Sequence, residues 1–240
     1  MAVKPYDKNS SKKQQVEEMF DGISKKYDFL NHFLSVGIDK RWRKKVRKMI
    51  AEKKHKNILD VATGTGDLCV ELSKIDGTKL TGFDLSRGML DIGEEKIKRK
   101  GLTDRITFIH GDGENMPFED NTFDAVTVAF GVRNFENLEQ GLSECYRVLK
   151  QGGELVVLEF SNPEKFPIKQ LFNFYSGKVM PTVGGMFSKD KSAYKYLHDS
   201  SRAFPNGKAF TDILEKVDFV NPTIKPLSMG IASIYRATKK

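Results

Sequence analysis

Hydrophobic positions follow two regimes along the chain. From residue 57 onward, short apolar runs alternate with stretches in which apolar residues recur every three or four positions. The runs predict strands over 57–62, 79–84, 105–110, 122–130 and 154–160. The periodic stretches predict helices over 67–75, 87–100 and 137–150. Three of the runs, 57–62, 122–130 and 154–160, are almost continuously apolar, as expected of strands covered on both faces. That rhythm predicts an α/β fold, a doubly wound, mostly parallel sheet. Runs at 218–225 and 230–238 bring the strands to seven. The stretch before residue 57 reads as helical, and 164–200 as an insertion rich in Phe, Tyr and Met. One domain over 1–240 is expected, with a helical N-terminal segment for substrate or membrane (1–56) and a cofactor-binding core (57–161). A lid or substrate insertion (162–205) and a C-terminal helix with a strand pair (206–240) follow.

Composition changes this picture in one place. Net charge is +8, but residues 40–56 alone hold ten Lys or Arg against one acid, Glu52. Trp42, Val46, Met49 and Ile50 fall at helical spacing, so 40–56 predicts an amphipathic helix with a basic outer face. Such a face either only solvates the helix or attracts an anionic surface, lipid or nucleic acid. The polar opening residues predict no signal peptide, and no uncharged run reaches spanning length, so a cytoplasmic protein is expected, with association at the cytoplasmic membrane face as an option. Cys69 and Cys145 sit among apolar neighbours in predicted helices and read as buried thiols. The four histidines lack metal-site spacing, so no metal is expected.

Candidate chemistry lies at the carboxyl ends of the strands, where open α/β sheets bind ligands. Gly64-Thr65-Gly66 follows the first strand, and glycines there permit a sharp turn close to a ligand. Asp84 ends the second strand, suited to accept hydrogen bonds from two ribose hydroxyls. Asp112 and Gly113 follow the third, a carboxylate and a small residue for an adenine. The fourth ends in Ala129-Phe-Gly-Val-Arg133-Asn134. Nicotinamide enzymes share a glycine turn followed by an acid, so charge has to discriminate. A pyrophosphate would rest on the next helix N-terminus, where this chain has Asp67. Asp60 and Asp67 instead suit the sulfonium and ammonium of S-adenosylmethionine; the alternative is that Asp67 merely caps its helix.

Outside these motifs, Tyr27-Asp-Phe-Leu-Asn31-His-Phe-Leu-Ser35 with Trp42, and Arg147-Val-Leu-Lys-Gln-Gly-Gly153 with Glu159-Phe-Ser161, resemble the two patterns of the menaquinone and ubiquinone biosynthesis C-methyltransferases. The likeness covers nearly the whole chain. Departures are Leu30 for Met, Asp39 for His and Gln151 for Pro, and Ala129 stands where some members carry a cofactor-contacting Ser. The resemblance implies a class I S-adenosylmethionine-dependent methyltransferase that methylates a ring carbon of a polyprenyl quinol. It also implies cofactor contacts at Thr65, Asp84, Asp112 and Gly113, and substrate-side residues Tyr27, Arg133 and Asn134. Naphthoquinol (demethylmenaquinol) is preferred over the benzoquinol of ubiquinone synthesis.

Carbon methylation needs an electron-rich ring, hence a phenolate. Arg133 is expected to stabilise it, with Tyr27 or Asn134 holding the hydroxyl or a water; a structural salt bridge is the competing role for Arg133. Phe166 to Tyr175, with Met180, Val183, Met186 and Phe187, reads as a lid and tail groove hinged at Gly184 and Gly185, or as ordinary core. An RNA methyltransferase using the basic helix is the rival, but the chain lacks an Asn-Pro-Pro-aromatic loop and no nucleic-acid partner is expected. A non-enzymatic cofactor-binding regulator is a third reading. Peripheral contact with an anionic membrane is expected, and a homodimer stays open.

Overall fold

The computed structural model describes residues 3–35, 37–163, 166–174, 177 and 190–240. Alternation along the central strands explains the architecture. Leu59 and Val61 of β1 (Asn57–Val61), Val126 and Val128 of β4 (Phe123–Ala129) and Leu155 and Val157 of β5 (Leu149–Phe160) face one core. Their neighbours Ile58, Ala125, Val156 and Leu158 face a second core on the other side. Both faces are therefore dry, and the runs read as continuously apolar. β2 (Lys79–Asp84) and β3 (Ile106–His110) extend the parallel sheet on one side of β1; β7 (Ala232–Lys239) and β6 (Phe219–Leu227) close the other, antiparallel, in the order β3-β2-β1-β4-β5-β7-β6. The expected seven strands and mostly parallel sheet are present. β6 carries Pro222 and Pro226, residues tolerated at a sheet edge because they lack a donor for a further strand.

Helices α2 (Ile38–Ile50), α3 (Asp67–Leu72) and α4 (Arg87–Arg99) cover one face, and α5 (Leu138–Val148) and α8 (Lys208–Lys216) the other. The expected helix over 40–56 stops at Ile50: its apolar stripe of Trp42, Val46 and Ile50 has no further member, and 51–54 form a turn. Cys69 and Cys145 are buried within α3 and α5.

A third cluster covers the ligand end of the sheet. Val16, Met19 and Ile23 of α1 (Lys12–Leu34) pack with Met89 of α4 and with Ala193 and Tyr196 of α7 (Lys191–Ala203). α6 (Ile168–Phe174) precedes α7. Tyr175, Met180, Val183, Gly184, Gly185, Met186 and Phe187, expected in the lid, lie outside the described residues.

Candidate active site

Strand order reverses between β1 and β4, and a crevice opens there at the carboxyl ends of the strands, as open α/β sheets provide for ligands. Gly131, after β4, meets Ala62, after β1, so closely that a Cβ at residue 131 would lie 2.4 Å from the Ala62 Cβ. Val61, Ala62, Gly64, Asp84, Met89, Asp112, Gly113, Phe130 and Asn134 line the crevice, and Phe20 and Tyr27 of α1 face them.

Asp84 is the pivot of the sheet-side wall. Its two oxygens accept the Gly64 N–H at 2.7 Å and the Ser86 N–H at 2.8 Å, tying the glycine turn to the end of β2. Gly64 and Gly66 have φ of 58° and 77°, a left-handed backbone that suits glycine. Burial raises the Asp84 carboxyl to about 6; the two N–H donors oppose that shift, and Asp60 and Asp21 add to it. A carboxylate facing a cavity with no cation paired to it among the described residues is suited to donors from a ligand, as ribose hydroxyls are. Asp112 and Gly113 line the same wall; Asp112 accepts the Glu114 N–H at 2.9 Å, and Gly113 packs on Phe135 and Val61.

Not every expected residue faces the crevice. Asp60 lies beneath it, buried, accepting the Thr127 and Thr63 hydroxyls at 2.6 Å each, so its oxygens hold β4 and the glycine turn. Thr65 is also buried: its hydroxyl donates to Asp28 at 2.5 Å and accepts from Lys96 at 2.9 Å. Gly66 is the residue before α3, and a Cβ there would strike Phe108. The expectation that Asp67 welcomes a cationic cofactor is corrected. Its negative charge is met by Lys96 at 2.6 Å, His32 at 3.3 Å and Arg43 at 3.8 Å, which hold its carboxyl far below the usual range despite burial. Nor is its side chain a helix cap; Gly66 fills that position.

Arg133 departs from expectation as well. Its Nη1 donates to Glu159 at 2.7 Å and to the Phe130 carbonyl at 2.6 Å, and both charged side chains are buried. The guanidinium is thus committed to a carboxylate on β5, the salt-bridge alternative, and Arg133 is not among the crevice residues. Asn134 and Tyr27 do line it. The Tyr196 hydroxyl donates to the Asn134 side-chain oxygen at 3.1 Å, and Tyr27 packs edge-on to Phe20 with ring centroids 5.7 Å apart.

Sequence reasoning missed the residues that seat the helical wall. Lys12 donates to the carbonyls of Arg133 at 3.0 Å and Phe135 at 2.6 Å, and burial lowers its pKa to about 8. Lys13 pairs with Asp112 at 2.5 Å, and Lys96 with Asp28 at 2.6 Å. No local pattern marks these lysines, because each partner lies dozens of residues away. His32, Asp39 and Asp67 bring metal-ligand types together, yet Arg43 and Lys96 already supply positive charge there.

Fold and crevice together define a class I methyltransferase. A SAM-dependent methyltransferase from Thermotoga maritima has the same fold, with a TM-score of 0.68 at 18% identity over 93% of this chain and 99% of that one. The chain belongs to the ubiE/COQ5 methyltransferase family, whose sequence model matches residues 8–239. It is 47% identical to a demethylmenaquinone methyltransferase of Bacteroides fragilis, over 99% of this chain and 97% of the relative. It is 44% identical to the ubiquinone/menaquinone biosynthesis C-methyltransferase UbiE of Geotalea daltonii, over 97% and 99% respectively. The family, the fold class, the methyltransferase activity and the S-adenosylmethionine cofactor expected from the sequence are borne out.

Proposed function

We propose that the protein methylates the ring carbon of a polyprenyl demethylmenaquinol, giving menaquinol. The observation that carries this reading is the near-full-length likeness to the Bacteroides fragilis demethylmenaquinone methyltransferase. S-adenosylmethionine, when bound, supplies an electrophilic methyl group. Asp84 would accept the ribose hydroxyls, and Asp112 the adenine amine beside Gly113; Asp84, a cavity carboxylate that accepts two backbone N–H donors and is lifted to about 6 by burial, has the character of such an acceptor.

Deprotonating a quinol hydroxyl pushes electron density onto the neighbouring ring carbon, so groups that favour the phenolate accelerate the step. Asn134 can do so: it lines the crevice, its oxygen accepts from Tyr196, and its amide nitrogen would serve as the donor. Arg133 acts at one remove, fixing the 132–134 turn through Glu159 and the Phe130 carbonyl. Tyr27 and Phe130 flank the ring site, and alignment of ring carbon and methyl group supplies much of the remaining rate.

The substrate's polyprenyl tail is lipid-soluble, and we place the protein at the cytoplasmic membrane surface as a peripheral enzyme. No described helix is long and apolar enough to cross a membrane. Of the basic residues on and after α2, Lys40, Arg41, Lys44, Lys45, Lys48, Lys54 and Lys56 are exposed with no acidic side chain paired to them among the described residues, a face suited to anionic headgroups. The benzoquinol intermediate is the second reading, favoured by the likeness to the Geotalea enzyme.

The test supplies labelled S-adenosylmethionine with each reduced quinone separately and locates the methyl group by mass spectrometry. Label on the naphthoquinol ring is expected. Label on the benzoquinol alone reverses the choice, and label on added RNA but neither quinol overturns it.

A further inference from the structure

The turn joining β6 to β7 holds three successive residues in left-handed backbone: Ser228 (φ 45°), Met229 (57°) and Gly230 (93°). Only one is glycine, and this conformation is unfavourable for residues with a Cβ. The strained turn holds Met229 71% exposed; among described residues only Phe166, at 80%, is a more exposed large apolar side chain. An exposed apolar tip on a strained backbone is unexpected for a turn that merely connects two strands.

The turn is firmly anchored. Ser228 accepts the Trp42 indole N–H at 3.0 Å, and the Gly230 carbonyl accepts the Ser161 hydroxyl at 2.8 Å. A Cβ on Gly230 would sit 3.4 Å from Pro163, three residues before Phe166. Trp42 belongs to α2, so the apolar tip is fixed to the helix bearing the exposed Arg41 and Lys45. The Trp42 ring also packs on Phe130 and Phe160, centroids 6.1 and 6.3 Å away, and Phe130 lines the crevice. An aromatic chain therefore runs from Phe130 at the crevice to Trp42, which its hydrogen bond to Ser228 ties to the turn.

We propose that the Ser228–Gly230 turn is an insertion point for an anionic lipid surface, with Met229 entering the acyl boundary while the basic face of α2 meets the headgroups. This rests on the reading that the substrate is a membrane-dissolved quinol. A single protruding side chain beside unpartnered cations suits a lipid interface. A stable protein partner would need a broad complementary face.

Both native cysteines are buried, so Met229→Cys in the full chain can be labelled selectively with a polarity-sensitive dye. With vesicles of phosphatidylglycerol and phosphatidylcholine the dye should brighten and shift to the blue, and with phosphatidylcholine alone it should change little. Met229→Asn, a polar residue that tolerates left-handed backbone, should bind the anionic vesicles roughly three- to tenfold more weakly, as removal of part of a large apolar side chain from lipid predicts, with its unfolding temperature not lowered. Dye that stays aqueous while the protein co-sediments, unchanged binding by Met229→Asn, or no co-sedimentation at all would each overturn the proposal. Methyl transfer to detergent-dispersed quinol, measured on the parent protein, reports on the substrate separately: activity there without vesicle binding defeats the insertion point alone.

Discussion

The crevice has two walls built by different physics. The sheet-side wall is held by backbone N–H groups: Asp84 receives them from residues 64 and 86, and Asp112 from residue 114. The helical wall is held by long-range charge. Lys12 reaches the carbonyls around residue 134, Lys13 reaches Asp112, Lys96 joins Asp28 to Asp67, and His32 bridges Asp39 and Asp67. A wall made by the sheet forms with the fold. One made of ion pairs can be loosened by a single substitution or by pH while the sheet stays intact.

The largest effect is expected beneath the sheet-side wall. Arg133→Ala leaves Glu159 buried and unpaired, a change that typically costs about 3–5 kcal/mol. Denaturant unfolding should show that loss, and turnover should fall with it. Full stability with only turnover reduced would return Arg133 to direct contact with the phenolate.

Asp84→Ala should weaken S-adenosylhomocysteine by ~2–4 kcal/mol, the worth of two charge-assisted hydrogen bonds, with the fold retained. Calorimetry showing unchanged affinity removes Asp84 from the site. Burial pushes this carboxyl up to about 6. Ligand hydroxyls require its ionised form, so affinity should hold above that pH and decline below it, with protons released on binding at acidic pH. An affinity flat down to pH 5 would contradict this.

On the helical wall, Tyr196→Phe should lower kcat about fivefold, the worth of one hydrogen bond near 1 kcal/mol, and leave cofactor affinity unaltered. In an Asn134→Ala background the same change should have little further effect, since Tyr196 acts through Asn134. Independent, additive losses would make Tyr196 purely a packing residue.

The smallest effect should come from His32, and its sense is opposite to that of Asp84. Hydrogen bonding and charge from Asp67 and Asp39 raise its pKa above 6.5 against partial burial. Its stabilising contribution is therefore complete below the unfolded-state value and lost as pH rises through the higher folded value. The unfolding temperature should drop slightly over that rise in the parent and not in His32→Asn. Identical pH profiles would show that the bridge contributes nothing.

Asp39 connects these effects to the sequence. It stands where the family pattern carries His, and its carboxylate accepts from Ser35 at 2.6 Å and pairs with His32 and Arg43. The departure looks minor along the chain, yet in three dimensions it places an acid between His32 and the Arg43 guanidinium.

The sequence by itself determined the sheet, the positions of its strands to within a few residues and the crevice carboxylates Asp84 and Asp112. Apolar alternation and strand-end glycines are local properties, written within a few positions of where they act. It also determined the family, through motifs spread over the chain. Tertiary structure alone decided which charges remain available to a ligand. Asp60, Thr65, Asp67 and Arg133 stand at the expected strand ends, but Thr127, Asp28, Lys96 and Glu159 engage them from other elements, and Lys13 takes one oxygen of Asp112. A buried charge must be paired, and its partner is chosen by proximity in the fold, which separations of 29 or 67 residues along the chain leave unspecified.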